Sequence, residues 1–255
     1  MSTAAMTETS RSAAGTERKS RTWVLPSVVL ALLGTLWLYV GSLDLDSVEA
    51  RSLAGDVVLG ALWQHIQLVV VSTVLTVAVG VPLGVALTRP GIRRAGAIVL
   101  AAANASQAVP SIGVLVLLAM IFGVGFWMAV VALVLYALLP VLRNTMVGIR
   151  QVDPALIDAG RGMGMSTREV LLTIELPLAV PVMLAGIRVA LILNVGVATL
   201  AAFTNAGGLG SVISSGIALD RMPVLIVGSA LTMALALTVD WLAGLAERAL
   251  RPRGI

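Results

Sequence analysis

Side chains able to do covalent or metal chemistry are scarce in this chain of 255 residues. It has no cysteine and one histidine, His65, which excludes disulfides, thiolate metal sites, cysteine nucleophiles and histidine-rich metal clusters. Its one lysine, Lys19, lies in a polar N-terminal segment. A P-loop needs a lysine beside a glycine-rich turn to reach the phosphates of ATP. Any work the chain does is therefore powered by a gradient or by another subunit, and we expect it to bind no metal or cofactor itself.

Several polar residues interrupt long apolar runs. Asn104, Gln107 and Ser111 follow the spacing i, i+3, i+7, which places them on one face of a helix. Pro110 lies in the same run and is expected to kink it. Polar groups at bilayer depth are costly unless they pair or face water, so this stripe predicts a translocation pathway. The alternative is hydrogen bonding between helices, worth about 0.6 kcal/mol per bond. Asn194, in a later apolar run, has the same two interpretations.

Two further titratable residues lie within apolar runs. Arg188 is about ten residues into its run, and an unpaired arginine at that depth costs at least about 2.5 kcal/mol. Asp240, near the end of the last run, is a candidate partner, and we treat the two as a possible buried ion pair. His65 lies at the start of its run. That position predicts an interfacial hydrogen-bonding residue and not a proton carrier, and it is too shallow for the histidine of an intramembrane serine protease.

Helix signals are concentrated between the apolar runs, at residues 143–177. Asp153 and Pro154 form an N-cap followed by a first-turn proline, which predicts a short helix over 155–161 that ends at Gly162 and Gly164. The sequence of residues 166–169, Ser-Thr-Arg-Glu, predicts a capping box and a second helix that ends before Pro177. The two helices make an elbow beside the membrane.

The small residues of this elbow have two interpretations. They are Ala159, Gly160, Gly162 and Gly164, and they would let the backbone of another protein approach closely. The alternative is a surface elbow that only anchors the bundle.

The composition identifies the elements that position these residues. The chain is 58% apolar and 12% charged, whereas an ordinary soluble domain is about 45–50% apolar and about 25% charged. A soluble enzyme, a disordered protein and a nucleic-acid binder are therefore excluded. Runs near the roughly 20 residues that cross a bilayer predict an all-α polytopic membrane protein with six transmembrane helices. The predicted spans are 23–40, 63–88, 97–122, 126–142, 178–202 and 223–245.

The basic residues orient these spans. Of the 17 Lys and Arg, fourteen lie in the N-terminal tail, the 89–94 turn, the 143–177 loop and the C-terminal tail. The positive-inside rule then places both termini and the long loop in the cytoplasm. The predicted organisation is a disordered cytoplasmic tail (1–22), a transmembrane domain (23–245) that includes the 143–177 loop, and a cytoplasmic tail (246–255). Residues 207–210, Gly-Gly-Leu-Gly, are expected to form a flexible loop on the outer side.

The loop resembles a known motif, the EAA loop of bacterial ABC-importer permeases. That motif reads Glu-Ala-Ala, three residues, Gly, nine residues, then Ile-x-Leu-Pro. Here Asp158-Ala159-Gly160, Gly164 and the sequence Ile-Glu-Leu-Pro at 174–177 keep the spacing over 20 positions. Asp158 stands for the Glu and Gly160 for the second Ala. The second change weakens a helix by roughly 0.8–1 kcal/mol.

Further stretches resemble one branch of these permeases, the importers of osmoprotectants such as glycine betaine, choline, carnitine and proline. The stretches are 63–68, 107–111, 138–145, 151–157, 199–203 and 207–210, and together they cover about residues 60–215.

The resemblance implies a fold, partners and a mechanism. The fold is that of a type I ABC importer, similar to the methionine permease. Two permease chains, either two copies or this chain with a paralogue, form the pore in the bacterial inner membrane. Two separate ATPase subunits bind ATP and Mg, and an extracellular binding protein delivers the solute. A helix at 153–163 docks on the ATPase. The residues carried over to that role are Asp153, Ala155, Asp158, Ala159, Gly160, Met163 and Gly164.

Three alternatives remain open from the sequence. The first is the same architecture importing methionine or another small polar solute. The second is a gradient-driven membrane carrier or an intramembrane enzyme, and the third is a structural scaffold.

Overall fold

The computed structural model describes residues 23–250, apart from the side chains of Pro90, Arg93, Arg94 and Ser106, and every element in that part is helical. The α-helices are α1 (Trp23–Gly41), α2 (Ser47–Ser52), α3 (Gly55–Leu87), α4 (Arg93–Ser106), α5 (Ser111–Phe122), α6 (Phe126–Arg150), α7 (Pro154–Gly162), α8 (Thr167–Val170), α9 (Leu176–Val197), α10 (Leu209–Ala218) and α11 (Met222–Leu250). A π turn (Leu171–Glu175) joins α8 to α9, and 3-10 helices occupy Pro90–Ile92 and Ala198–Thr204.

The described chain contains five helices long and apolar enough to cross a membrane. They are α1, α3, α6, the continuous helical stretch Thr167–Thr204 and α11. The all-α polytopic class is therefore confirmed. The helices extend beyond the apolar runs: α3 has 33 residues and a length of about 50 Å, against about 30 Å for the hydrocarbon core of a bilayer.

The third predicted span, 97–122, is not one kinked helix. It is divided into α4 and α5, with residues 107–110 between them. Pro110 lies in the extended region with ψ 128° and has no N–H to continue the ladder, so the helix restarts only at Ser111. Asn104 and Ser111 consequently belong to different helices. The prediction that Asn104, Gln107 and Ser111 share one helical face is wrong.

The predicted loop 143–177 is also shorter than expected. Helix α6 continues through Arg143 to Arg150, and the second helix of the elbow does not end before Pro177. Because Pro177 cannot donate to the carbonyl of Thr173, the chain forms a π turn there, in which the Leu176 N–H bonds the Leu171 carbonyl. Residues 246–250 of the predicted C-terminal tail are helical, as the end of α11. The other predicted tail residues, 1–22 and 251–255, lie outside the described chain.

The centre of the bundle is built from α3, α6 and α9. Leu68, Leu133 and Val195, one from each helix, are fully buried in the largest apolar cluster. Glycines allow the helices to approach closely. A Cβ at Gly84 would lie 2.8 Å from Thr145 of α6, and one at Gly186 would lie 2.7 Å from the Pro140 carbonyl oxygen.

The short helices lie at opposite ends of the long ones. Helix α7 lies where α3 ends and α9 begins, and we call this the α7 end. Helices α2 and α10 lie at the opposite end, which we call the α10 end.

Asp46, at the α10 end, forms an ion pair with Arg221, with 3.0 Å between Arg221 Nη2 and Asp46 Oδ2. Asp46 also caps α2, and the hydrogen bond from the Glu49 N–H holds the pKa of this exposed carboxyl below its ordinary value. Residues 207–210 are a loop only in their first half, since Gly207 and Gly208 lie outside any helix with positive φ and Leu209 begins α10.

Candidate functional site

Helix α7 is fixed at both ends by its own sequence. The Asp153 side chain accepts a hydrogen bond of 2.9 Å from the Ala155 N–H, and Pro154 occupies the first helical position. At the other end Gly164 adopts φ +87°, a conformation that glycine reaches without strain. The Met165 N–H then bonds the Gly160 carbonyl and the Gly164 N–H bonds the Arg161 carbonyl. This is the Schellman pattern, so the role of Gly164 in this structure is to end the helix.

Helix α7 has one face against the bundle and one exposed face. Ala155, Asp158, Ala159 and Met163 are exposed, as is Leu156. Leu156 is 47% exposed and Met163 76%, and their i, i+7 spacing places these two large apolar side chains on one helical face. Helix α7 therefore has an exposed face that includes two large apolar side chains.

Gly160 differs from the other predicted docking residues because it is buried. A Cβ at this position would lie 2.7 Å from Ile174 Cδ1 and 3.3 Å from Met165 Sδ. Its close approach is therefore to the π turn of the same chain. The expectation that Gly160 receives the backbone of another protein is wrong, because the neighbour it meets is Ile174 of its own chain.

A cavity of about 330 Å³ opens at the break between α4 and α5. Its lining includes Val99, Ala103, Val109 and Val197, and the two polar residues in the lining are Ser111 and Tyr136. Pro110 and Asn104 are exposed beside this break. Of the five residues predicted for the pathway, Ser111 is the one that lines the cavity.

Gln107 and Asn194 are engaged in contacts between helices. Gln107 Nε2 donates to the Tyr136 carbonyl at 2.8 Å, and that carbonyl has lost its usual partner because Pro140, four residues later, has no N–H. Asn194 is fully buried, and its Nδ2 donates to Thr73 Oγ1 of α3 at 3.0 Å. Both contacts correspond to the alternative weighed for these residues, interhelical hydrogen bonding.

Arg188 and Asp240 meet between α9 and α11. The distance from Arg188 Nε to Asp240 Oδ1 is 2.5 Å, and Arg188 Nη1 lies 3.5 Å from Glu247 Oε2. Gly244 leaves room for the guanidinium, since a Cβ there would lie 3.4 Å from Nη1. Glu247 was not predicted as a partner of Arg188. It could have been found, because Glu247 lies seven residues after Asp240 and therefore on the same face of α11.

Removing this arginine is expected to destabilise the chain more than removing one carboxylate. Arg188→Gln removes the guanidinium that both Asp240 and Glu247 contact and should cost about 2 kcal/mol, or about 4–8 °C in Tm, whereas Asp240→Asn leaves Arg188 paired with Glu247. Thermal unfolding in detergent measures both variants and the double variant. Coupling predicts that Asp240→Asn adds little once Arg188 is gone, and additive losses would contradict it.

His65 is buried more deeply in the bundle than its position in the apolar run predicted. Because α3 begins at Gly55, His65 lies in its third turn and is fully buried. Its Nδ1 accepts a hydrogen bond of 3.3 Å from the Leu209 N–H, so the ring proton is on Nε2, which donates to the Val195 carbonyl at 3.0 Å. Beside it, Gln64 Oε1 accepts from the Gly208 N–H at 3.1 Å. His65 thus joins α3, α9 and α10 as a hydrogen-bonding residue buried inside the bundle.

The described residues contain no group of three or more His, Cys, Asp or Glu side chains that could hold a metal ion.

Comparison with known proteins agrees with this architecture. Residues 80–252 match the family described as binding-protein-dependent transport system inner membrane component. The chain is 40% identical over 201 residues to the choline transport system permease protein OpuBB of Bacillus subtilis, with 79% of this chain and 92% of that protein covered. It is 41% identical to the carnitine transport permease protein OpuCB of Listeria monocytogenes, covering 76% and 88%. It is 38% identical to the osmoprotectant import permease protein OsmY of Salmonella typhimurium, covering 90% and 95%.

Solved structures extend the likeness to the fold. The structure resembles a chain of the MetNI methionine ABC transporter in an inward-facing conformation, with a TM-score of 0.66 and 25% identity over 76% of this chain and 96% of that one. The match supports the type I importer fold inferred from the sequence. From the family match, the relatives and the fold together, the chain belongs to the binding-protein-dependent transport system inner membrane components, the permease subunits of ABC importers.

Proposed function

We propose that this chain is the membrane-spanning subunit of an ATP-driven importer of compatible solutes, and that α7 couples it to a separate ATPase. The solutes are glycine betaine, choline and related quaternary amines, or proline. The observation that carries the coupling is the exposed face of α7, with Leu156 and Met163 presented beyond the long helices.

The geometry of α7 supports docking by a preformed surface. Caps at Asp153 and Gly164 hold the helix without a partner, so little conformational entropy is lost on binding. We assign the contact to Asp158, Ala159 and Met163 together with Ala155, while Asp153, Gly160 and Gly164 position the helix. Two ATPase subunits, each with ATP and Mg, would engage the α7 helices of two permease chains.

The break between α4 and α5 supports a solute path there. Discontinuous helices are where membrane transporters commonly place their solutes. An apolar cavity with one aromatic ring, that of Tyr136, suits a trimethylammonium group, which offers no hydrogen bonds and is attracted to aromatic faces. We infer that Ser111, Pro110 and Asn104 face the path, and that Gln107 and Asn194 hold the helices beside it.

The solute class is supported by the relatives. The proteins at 38–41% identity are named for choline, carnitine and osmoprotectants, whereas the methionine transporter matches at 25%. We infer that α4 and α5 together form the sixth crossing. The distribution of basic residues supports cytoplasmic termini and a place for the chain in the bacterial inner membrane. An extracellular binding protein would deliver the solute at the α10 end.

A capture experiment tests the coupling. The tagged chain is purified in mild detergent from its native host as wild type, as Ala159→Arg and as Ala50→Arg, and co-purifying proteins are identified by mass spectrometry. Ala159 and Ala50 are both exposed on short helices, but Ala50 lies in α2 at the α10 end. We expect an ABC ATPase with the wild type and with Ala50→Arg, and at least about tenfold less of it with Ala159→Arg, together with loss of choline uptake.

The alternatives have distinct outcomes. If no ATPase accompanies the intact wild-type chain, the coupling proposal fails and a gradient-driven carrier is favoured. If excess methionine, and not glycine betaine, competes with the uptake of labelled solute, the solute assignment is wrong while the coupling stands.

A further inference from the structure

A two-pronged ion pair lies at the α7 end of the bundle, outside the exposed face of α7. Arg89, just after the end of α3, contacts Glu175, the last residue of the π turn. The distances are 2.5 Å from Nη2 to Oε2 and 3.3 Å from Nη1 to Oε1. The Glu175 side chain is 7% exposed and that of Arg89 27%. Paired guanidinium–carboxylate bonds of this kind fix orientation as well as charge.

The arginine is held in place by the end of α3. Its Nε donates to the Val85 carbonyl at 3.4 Å and its Nη2 to Thr88 Oγ1 at 3.2 Å. A displacement of Glu175 is therefore passed to the end of α3 and is not absorbed by a free side chain.

The carboxylate, in turn, is next to the residue that α7 rests on. Gly160 of α7 packs on Ile174, and Ile174 precedes Glu175 in the π turn. The contacts thus form a short series from α7 to Ile174, Glu175, Arg89 and α3. Helix α3 belongs to the central core of the bundle, where its Leu68 packs with residues of α6 and α9.

The π turn makes this connection deformable. Its backbone hydrogen bond joins residues five apart, where an α-helix joins residues four apart. Such turns occur frequently at functional sites. Pro177 follows it directly and removes a hydrogen bond that would stiffen the junction. The ion pair then ties the turn to the end of α3, beside an apolar cluster on which Leu171 of the turn and Val85 of α3 both pack.

We propose that Arg89 and Glu175 are the positioning pair that transmits the movement of α7 to α3 during the transport cycle. This inference rests on the proposed docking of an ATPase on α7. It assigns to the pair a role in coupling ATP hydrolysis to import, beyond holding two helices together.

The test uses the complete importer, with its ATPase subunits and binding protein, in proteoliposomes. Solute imported per ATP hydrolysed is measured for the wild type, Glu175→Gln, Arg89→Gln and the exchanged pair Arg89→Glu with Glu175→Arg. The control is Asp240→Asn, which also removes one carboxylate from an interhelical ion pair in this half of the bundle. We expect each single variant to lower the coupling ratio by about tenfold and the exchanged pair to recover part of it, while Asp240→Asn keeps the wild-type ratio.

The outcomes distinguish a pair that couples α7 to α3 from a pair that only stabilises the fold. Single variants that have a lower Tm but a wild-type coupling ratio would reduce the pair to a structural contact and overturn the proposal. A drop with Asp240→Asn equal to that with Glu175→Gln would overturn it too, because any lost ion pair would then suffice. If Glu175→Gln does not fold, the more exposed Arg89→Gln decides alone. Failure of the wild-type chain to retain an ATPase is a different result, which overturns the proposed function and this role with it.

Discussion

Replacing Gly210 by alanine is expected to have the largest effect on stability of any glycine-to-alanine change in the described chain. A Cβ at Gly210 would overlap the carbonyl oxygen of Thr199 and lie 2.6 Å from its carbonyl carbon. Both are backbone atoms of the 3-10 helix after α9, so no side chain can rotate away. Overpacking usually costs about 1–3 kcal/mol, and a clash with fixed backbone belongs at or above the upper end. We expect Gly210→Ala to lower Tm in detergent by about 6–12 °C or to prevent recovery of the folded chain.

A matched glycine separates packing from backbone freedom. Gly60 is in α3, and a Cβ there would meet no atom within 4 Å. Gly60→Ala should leave Tm unchanged or raise it slightly, since alanine favours a helix by up to about 1 kcal/mol. Equal Tm values for Gly210→Ala and the wild type would show that α10 does not pack on Thr199 as described.

Substitution of His65 by leucine is expected to have an effect of similar size. Leucine is apolar and of similar size, so it leaves the Leu209 N–H and the Val195 carbonyl buried without their partner. Each orphaned group costs about 1–3 kcal/mol, which adds to about 2–6 kcal/mol for the pair. Thermal unfolding in detergent measures the loss, and faster proteolysis near α10 would locate it.

Two polar substitutions divide this effect. Asparagine can place its oxygen near the position of Nδ1 and keep the bond from Leu209, and glutamine can place its amide nitrogen near Nε2 and keep the bond to Val195. Each should therefore lose less stability than His65→Leu. A leucine variant as stable as the wild type would contradict the linking role of His65.

The sequence predicted the elements whose signals are local. The N-cap at Asp153 and the capping box at Ser166 each predicted a helix start, and both caps are present. The helix ends were predicted less well, because an apolar run marks where lipid is and not where hydrogen bonding stops. The predicted fourth span stopped at residue 142 because the next residue, Arg143, is charged. The Arg143 side chain is exposed on α6, and the helix continues to Arg150.

Prolines had opposite effects at two places, and local sequence could not distinguish them. Pro110 was expected to kink a helix and divides it, whereas Pro177 was expected to end a helix and lies inside one. The difference depends on surrounding contacts. Glu175 is held by Arg89, just after the end of α3, and the helix continues through the π turn. The sequence of residues 174–177 alone does not indicate that Arg89 contacts Glu175.

Some features of the candidate site could likewise be predicted from local sequence, and others could not. The spacing of the loop motif identified α7, and depth in an apolar run suggested that Arg188 needs a partner. The inward packing of Gly160 and the buried position of His65 depend on tertiary contacts with Ile174 and Leu209, which one sequence does not reveal.

The bond from Gln107 to Tyr136 has a consequence for how such chains can change over generations. Gln107 satisfies a carbonyl that exists as an orphan only because Pro140 is present. Loss of the glutamine alone leaves that carbonyl unpaired, while loss of the proline alone makes the glutamine redundant. The two substitutions therefore have a favoured order. Pro140 is replaced first, and Gln107 can then be replaced without leaving the Tyr136 carbonyl unpaired. Descendants that keep Pro140 are held to an amide donor at position 107.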